Sequence, residues 1–290
     1  MDCPFCEVPT SLLFHIKKFS EPFSIYICKN CGLQHKYPQN QSNYYTKDYY
    51  EGKAEYSYID ERRYFPFFEQ VWRARLKTIK KYKPPPLRFL DVGCGFGGFV
   101  LTALRMGYDA EGIDVSEYAV EEAKKNQDLK NRIYHTDLLS FEPKKKYDVI
   151  TLIEVIEHLT NPKSVFEKLS DLLNPKGLLV IQTANMDGLQ AKLLKERYHY
   201  YLPGHLYYYS KKNLINFLKL YGFEDFIPFH GVDFGLLPKY KKMMGFFVSF
   251  WDYRKFLRVG LYHFLSKIAI GNFAMTSSFV LYAFKKKSFL

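Results

Sequence analysis

One stretch, Leu90-Asp91-Val92-Gly93-Cys94-Gly95-Phe96-Gly97-Gly98-Phe99, limits what this chain can fold into more than any other. A short apolar strand runs into a glycine turn, an acidic residue stands two places before the first glycine, and an amphipathic helix pattern follows. Glycine is the one residue that lets a ligand's polar group approach the backbone closely at a helix N-terminus. The joint is therefore read as a strand–turn–helix unit with a ligand at the turn.

Gly93, Gly95 and Gly98 also satisfy the dinucleotide fingerprint, so the turn alone is ambiguous. Residues downstream reduce that ambiguity. A strand over Ala110 to Ile113 ends in Asp114, where a carboxylate that holds a ribose hydroxyl is expected. A helix is predicted from Ser116 to about Asn126, then a strand from Arg132 to His135 ending in Thr136-Asp137. A further strand, Tyr147 to Ile153, ends in Glu154. Strands thus alternate with helical patterns, and each delivers an acid or a glycine turn at its C-terminal end, where open parallel sheets bind ligands.

The D-V-G-C-G-F-G turn (Asp91 to Gly97), Asp114, Asp137 and L-I-E-V-I-E-H-L (Leu152 to Leu159) together resemble class I S-adenosylmethionine-dependent methyltransferases. The likeness runs from about Leu87 to Phe226, and four motifs occur in order. It implies that Gly93, Gly95 and Gly97 line the methionine part of the cofactor and that Asp91 faces its amino group. Asp114 would take the ribose hydroxyls and Asp137 would sit at the adenine amino group, with Glu154 also approaching the cofactor. Acidic strand ends suit a sulfonium and an ammonium; a pyrophosphate would be poorly served by Asp91.

Four of the five cysteines lie in two C-x-x-C pairs, Cys3/Cys6 and Cys28/Cys31. Two thiolates in a tight knuckle reach one ion from one side, and a second knuckle closes a tetrahedral zinc site. Disulfides compete with this reading, but no secretion signal supports them. Four thiolates leave no open coordination position, so this zinc is expected to be structural. Residues Leu12 to Ile27 read as a two- or three-stranded ribbon whose folding energy comes from the metal. The C-K-N-C-G-L-Q-H-K-Y-P motif (Cys28 to Pro38) resembles the zinc knuckle preceding many methyltransferases of glycan and secondary-metabolite pathways. Cys94 has no partner in the sequence and is read as a small packing residue.

The whole chain is accordingly expected to be α/β: a Rossmann-like seven-stranded methyltransferase sheet, a small N-terminal zinc ribbon, and a helical insertion before the last strand. Residues 1–40 form the ribbon and 41–86 an aromatic-rich helical lid and linker. The methyltransferase domain occupies 87–290, with the insertion at about 240–271. The lid holds Tyr44, Tyr45, Tyr49, Tyr50, Tyr56 and Tyr58 before a helix from about Tyr64 to Tyr82, which Lys83-Pro84-Pro85-Pro86 terminates.

Glu154, Glu157 and His158 are the candidates for chemistry. If Glu154 begins a helical turn, the i, i+3 spacing places both carboxylates on one face with His158 one turn on. E-x-x-E-H resembles the pattern of ubiquinone-pathway O-methyltransferases and of small-RNA terminal 2′-O-methyltransferases. In those families a later histidine joins it to hold a divalent ion that activates a hydroxyl; here that residue would be His205. Magnesium or manganese would suit a mainly oxygen shell. The alternative is His158 or His205 as a general base, near neutrality in its unperturbed pKa, and the balance leans slightly to the histidine. A bland reading also stands, with Glu157 and His158 merely pairing locally before Asn161-Pro162 opens a helix. The tyrosines from Tyr198 to Tyr209 would wall the acceptor pocket or fill the core.

A final strand is predicted at Ser278 to Phe284. The insertion before it mixes Met243, Met244, Phe246, Phe247, Phe250, Trp251, Phe256, Leu257, Leu261, Phe264, Leu265 and Ile268 with Lys241, Lys242, Arg254, Lys255, Arg258 and Lys267. Basic amphipathic helices of this kind lie on membranes, cover a lipid-like substrate, cover the sheet, or form a homodimer. Composition, 47% hydrophobic and 25% charged, gives a folded protein. The N-terminus has no signal segment and Ile268 to Phe284 is short and polar for a span, so the expected location is cytoplasmic, with peripheral membrane contact through 240–271. A net charge of +12 leaves an acidic partner open.

The leading expectation is an O-methyltransferase for a small-molecule acceptor, a carbohydrate or lipid-linked glycan intermediate. A sugar C-methyltransferase is the runner-up within the class, though those enzymes carry a further C-terminal domain. A nucleic-acid-binding reading rests on the ribbon and the basic balance, and is weakened because Leu12 to Ile27 offers only His15, Lys17 and Lys18.

Overall fold

The computed structural model describes residues 1–39, 44–57, 60–246, 252–270 and 273–287. The chain opens with three strands, β1 (Ser11–Ile16), β2 (Phe23–Ile27) and β3 (Gln34–Tyr37), then α1 (Lys47–Glu51) and α2 (Phe65–Lys80). The glycine turn joins β4 (Arg88–Val92) to α3 (Gly98–Arg105). Next come β5 (Asp109–Asp114), α4 (Glu117–Lys124), β6 (Ile133–His135), β7 (Tyr147–Ile153), α5 (Pro162–Leu172) and β8 (Leu173–Ala184). After α6 (Leu189–Leu194) follow β9 (Tyr207–Tyr208), α7 (Lys211–Leu220) and β10 (Phe223–His230). The chain closes with α8 (Leu236–Met244), α9 (Tyr253–Leu265), a small hairpin β11 (Ala269–Ile270) and β12 (Phe273–Ala274), and β13 (Ser278–Lys285).

Seven strands form one sheet in the order β10-β13-β8-β7-β4-β5-β6. The five from β8 to β6 pair in parallel; β13 runs antiparallel to both its neighbours, β8 and β10, so it is the one reversed strand of the seven. Both faces are buried, so its strands read as continuous apolar runs whose side chains alternate between two cores. Phe89, Val149, Val180 and Val280 face α2, α3 and α4. Leu90, Ile150, Ile181 and Leu281 face α5 and α7. The helix starts are readable in the sequence. Ser116 Oγ accepts from Ala119 N at the head of α4, and Ser210 with Asn213 forms a capping box for α7, each cap contributing about 1 kcal/mol. Pro162 opens α5.

The expected architecture stands, with the insertion beginning a little earlier, at Leu236. The ribbon adds something that its own sequence does not contain. Its three antiparallel strands gain a fourth from far along the chain, since β3 pairs with β9 through Gln34↔Tyr208 and His35↔Tyr207. Phe5 stacks on Phe217 at 3.7 Å between centroids, and Cys3, Phe5, Cys28 and Leu33 share a core with Val165, Phe166 and Phe217. The ribbon is thus packed into the larger body. Tyr58, Phe247, Phe250 and Trp251 lie outside the described residues.

Candidate active site

β4 and β7 are neighbours, yet the chain leaves β4 for β5 on the other side, which makes the gap between their carboxyl ends the switch point where open α/β sheets bind ligands. A cavity of about 1010 Å³ opens there, lined by Asp91, Gly93, Gly95, Asp114, Glu154 and His158 among others. Gly93 holds φ at +71°, and a Cβ on it would fall 2.5 Å from Val155 Cγ2. The turn therefore needs glycine both for its conformation and for the close passage of the β7 end. Gly97 differs from the expectation. It too has positive φ (+74°), but it packs on Leu129 and Ile133, where a Cβ would meet Leu129 Cδ1 at 2.8 Å, so it shapes the helix start and does not line the cavity.

The strand-end acids are held in three different ways. Asp91 is buried and accepts from Thr151 Oγ1 at 2.6 Å. Burial, with the neighbouring Glu61 and Asp114 carboxylates, pushes its pKa up to about 7, against the pull of the Thr151 hydroxyl. Asp114 accepts from Gly95 N at 2.7 Å and Ser116 N at 2.8 Å, which fixes it beneath the glycine turn, and burial still raises its pKa. Asp137 is exposed at the cavity rim and accepts from Leu139 N and Ser140 N; partial burial opposes ionisation, but the Ser140 hydroxyl and those amides together bring its pKa below the usual value. Such a row of carboxylates at a backbone turn fits a ligand with cationic groups and ribose hydroxyls.

Tyr45, Tyr49, Tyr50 and Tyr56 of the aromatic-rich segment line the cavity, together with Phe68, Trp72 and Arg75 of α2. Of the tyrosines in 198–209, only Tyr200 lines it. Tyr198, Tyr201, Tyr208 and Tyr209 are buried in the core, because the docked ribbon covers the segment that would otherwise face outward.

Glu154 departs from the sequence reading. It stands at φ +57° before the short helical turn Ile156–His158, so the two glutamates do not share a helix face. Its carboxylate accepts from Gln182 Nε2 at 2.6 Å, and Gln182 in turn accepts from Arg75, whose Nε reaches Asp233 Oδ1 at 3.0 Å. Asp233 also accepts from Tyr282 at 2.6 Å. This buried relay from α2 through β8 to the end of β7 has no local sequence signal, since its members are spread from Arg75 to Tyr282.

Glu157, His158 and His205 do converge, each offering a donor atom within 4.8 Å of the others. The His158 Nδ1–H donates to Gly204 O at 2.8 Å, which leaves its Nε2 lone pair available. The two imidazoles stand edge to face at 4.6 Å. Burial drives the His158 pKa down to about 4 and that of His205 well down, the latter also through His158. Both rings are therefore neutral at pH 7. Burial and the adjacent Glu154 push the Glu157 pKa well up. Neither Glu157 carboxylate oxygen makes a well-aligned hydrogen bond, and the same holds for His205 Nδ1 and the Thr183 hydroxyl, although the Glu154 and Thr183 side chains lie close enough to Glu157 to act on its pKa. Poorly paired buried polar atoms are costly, and a cluster of them points to something that binds there.

The ribbon reaches this cluster directly. Leu206 O accepts from Lys36 N at 2.9 Å and Leu206 N donates to Glu157 O at 2.8 Å. Lys36 is buried and its Nζ donates to Pro203 O, while Tyr201 Oη donates to Gln34 Oε1 at 2.7 Å. The segment carrying His205 is thus clamped between the ribbon and the Glu157–His158 turn. The four cysteine sulfurs lie within 4.8 Å of one another, with Cys3–Cys31 at 3.6 Å and Cys6–Cys28 at 3.3 Å. A tetrahedral zinc with bonds of about 2.3 Å spaces its sulfurs about 3.8 Å apart, so the donor set fits that ion. Cys94 is buried against Gly112, the packing role expected of it.

A methyltransferase-domain family matches residues 61–226, more than half of the chain. Among curated proteins, the ubiquinone biosynthesis O-methyltransferase of Rhodopseudomonas palustris (strain TIE-1) is 31% identical over 102 residues, covering 34% of this chain and 40% of that protein. The corresponding protein of Leptothrix cholodnii is 30% identical over 135 residues, 43% of this chain and 57% of that one. The chain thus spans less than two thirds of these relatives. Among solved structures, an S-adenosylmethionine-dependent methyltransferase from Archaeoglobus fulgidus matches with a TM-score of 0.51 at 18% identity, over 77% of this chain and all of that one. The plantazolicin methyltransferase BpumL, solved with a monoazolic desmethylPZN analog and SAH, gives 0.50 at 19% identity, over 78% and 87%.

Proposed function

We propose, from the premise that this chain belongs to the class I S-adenosylmethionine-dependent methyltransferases, that it methylates a hydroxyl of a small-molecule acceptor, a carbohydrate or lipid-linked glycan intermediate. The observation that carries the hydroxyl reading is the Glu157–His158–His205 cluster, whose two imidazoles line the cavity. Bound S-adenosylmethionine supplies a methyl on a good leaving group, so the protein's task is alignment, exclusion of water and handling of one proton. Asp91, Asp114 and Asp137 would hold the ammonium, ribose and adenine ends, with Gly93 and Gly95 beneath. Tyr45, Tyr49 and Tyr56 would close over the site.

A hydroxyl needs its proton removed as it attacks. His158, neutral and oriented by Gly204, presents Nε2 as the acceptor of that proton, with His205 beside it. A second reading is favoured by the convergence of three donor atoms within 4.8 Å of one another: a divalent cation held by Glu157, His158 and His205. With Glu154 tied to Gln182, that set is one oxygen and two nitrogens. Such a set suits manganese or zinc better than magnesium. The test is activity after chelation. Full activity without metal, lost in His205→Ala and His158→Ala, supports the base; loss with chelator and return with manganese supports the cation. Failure to methylate any hydroxyl acceptor while an amine or carbon acceptor is methylated would overturn the O-methyl reading.

Cys3, Cys6, Cys28 and Cys31 would hold one structural zinc, its four thiolates leaving no position for substrate. The divisions at 1–40, 41–86 and 87–290 follow from the same reading. Purified protein should carry one zinc per chain by elemental analysis; all four thiols titrating freely in native protein would refute it.

A further inference from the structure

Helix α9 presents its apolar stripe to solvent. Tyr253, Leu257, Leu261 and Phe264, continued by Ile268 in the next turn, recur at helical spacing and span about 80° of the helix circumference at 100° per residue. All five are exposed, from 40% at Ile268 to 75% at Leu257. The opposite side, with His263 buried and Phe256 against Tyr240 of α8, makes the contact with the body. α8 continues the pattern with exposed Leu237 and Met244 about one turn either side of Lys241. A surface helix normally turns such a stripe inward.

The charges around the stripe have one sign. Arg254 and Arg258 border one edge and Lys267 the other. Asp252 is the one acidic residue between Phe234 and Leu290, set against ten lysines and arginines, and it is paired with Lys255 at 2.6 Å. Between Leu236 and Ile268 seven lysines and arginines stand against Asp252, so half of the net charge of +12 lies in the insertion itself. A second copy docked on the stripe would bring like charges together. An anionic lipid surface offers what both parts require, apolar depth for the stripe and negative headgroups for its basic borders.

We infer that the α8–α9 insertion is an interfacial anchor that seats this protein on an anionic membrane surface. No helix among the described residues is long and apolar enough to cross a bilayer, so the contact is peripheral. α8 also lends Lys239 and Lys242 to the cavity wall, so anchor and acceptor chamber share one element. The inference does not rest on the hydroxyl reading, because lipid binding is measured without any acceptor.

The test uses the full chain and phosphatidylcholine vesicles with or without about one-third phosphatidylglycerol, in a flotation assay. Binding should be at least roughly tenfold stronger to the anionic vesicles and should weaken as salt is raised. Leu257→Glu with Leu261→Glu should remove it, while binding of S-adenosylhomocysteine by titration calorimetry stays unchanged and certifies the fold. Arg258→Ser with Lys267→Ser provides a second variant, expected to weaken anionic binding severalfold. Absence of vesicle binding by the wild type would overturn the proposal. So would a dimer in light scattering that the double glutamate variant splits.

Discussion

The cysteine cluster and the Glu157–His158–His205 cluster are both small sets of donor atoms held close together, yet they are built on opposite principles. The cysteines are alike, come in two local pairs, and form a set of four thiol donors that the proposed zinc would saturate. The second cluster joins a turn after β7 to a loop before β9, mixes a carboxyl with two imidazoles, and leaves atoms without well-aligned partners beside a large cavity. A set that one ion saturates is organised for stability, whereas one with donors to spare beside a cavity is organised for a ligand. The two are not independent, because Lys36 and β3 hold the segment that carries His205.

Substituting one member of each cluster should give opposite patterns. Cys28→Ser should have the largest effect: loss of zinc and a stability loss of more than about 3 kcal/mol by denaturant unfolding, since metal binding and ribbon folding are coupled. Because β3 braces β9, chelation should also disturb the His158 and His205 imidazole resonances in NMR. Unchanged resonances after zinc removal would break the link between the clusters. Glu157→Gln should do the reverse, leaving stability equal or higher while the rate falls about 10²–10⁴-fold, the usual worth of acid–base or metal assistance. A Glu157→Gln variant that is active yet unstable would remove the contrast altogether.

A smaller effect separates acceptor from cofactor. Asp114→Ala should weaken S-adenosylhomocysteine binding by about 1.5–3 kcal/mol in titration calorimetry, as expected for lost hydrogen bonds to a charged group, with Glu157→Gln nearly unchanged.

The smallest effect is in pH. Asp91, raised to about 7 in the fold, binds its proton more tightly there than in the unfolded chain. Its contribution is therefore fully favourable below about 4 and is lost as pH rises towards 7. His158, lowered to about 4, runs the other way, favourable above about 6.5 and lost as pH falls through 4. An ammonium beside Asp91 should favour the ionised form. Affinity for S-adenosylhomocysteine should then rise up to about tenfold per pH unit as pH approaches 7, and Asp91→Asn should flatten that slope.

Much of this was legible in the sequence because local spacing carries it. The glycine turn, the acids at strand ends and the paired cysteines each sit within a few residues of the chain. What escaped was set by tertiary packing. Two residues, Tyr207 and Tyr208, form the ribbon's fourth strand, too short for any periodicity to register. Their pairing with β3 also explains why the neighbouring tyrosines turn inward. Glu154 could share a helix face with Glu157 only by starting a helical turn, which its positive φ rules out; its carboxylate takes the Gln182 amide, 28 residues away, while still lying beside Glu157. The Arg75–Asp233 pair was invisible for the same reason, its partners being 158 residues apart.

The union of β3 with β9 also orders events during synthesis. The ribbon's cysteines leave the ribosome first, but the strand that completes their sheet follows about 170 residues later, a wait on the order of ten seconds or more. Through that interval β3 presents an unpaired edge, the feature that invites association between nascent chains. Closing so long a loop costs only modestly more than closing a short one, yet it slows arrival at the native state. Early capture of metal by the cysteines would hold that edge in register until its distant partner emerges. If the cysteines hold zinc as proposed, its supply while the chain is being made should govern yield more strongly than zinc added afterwards.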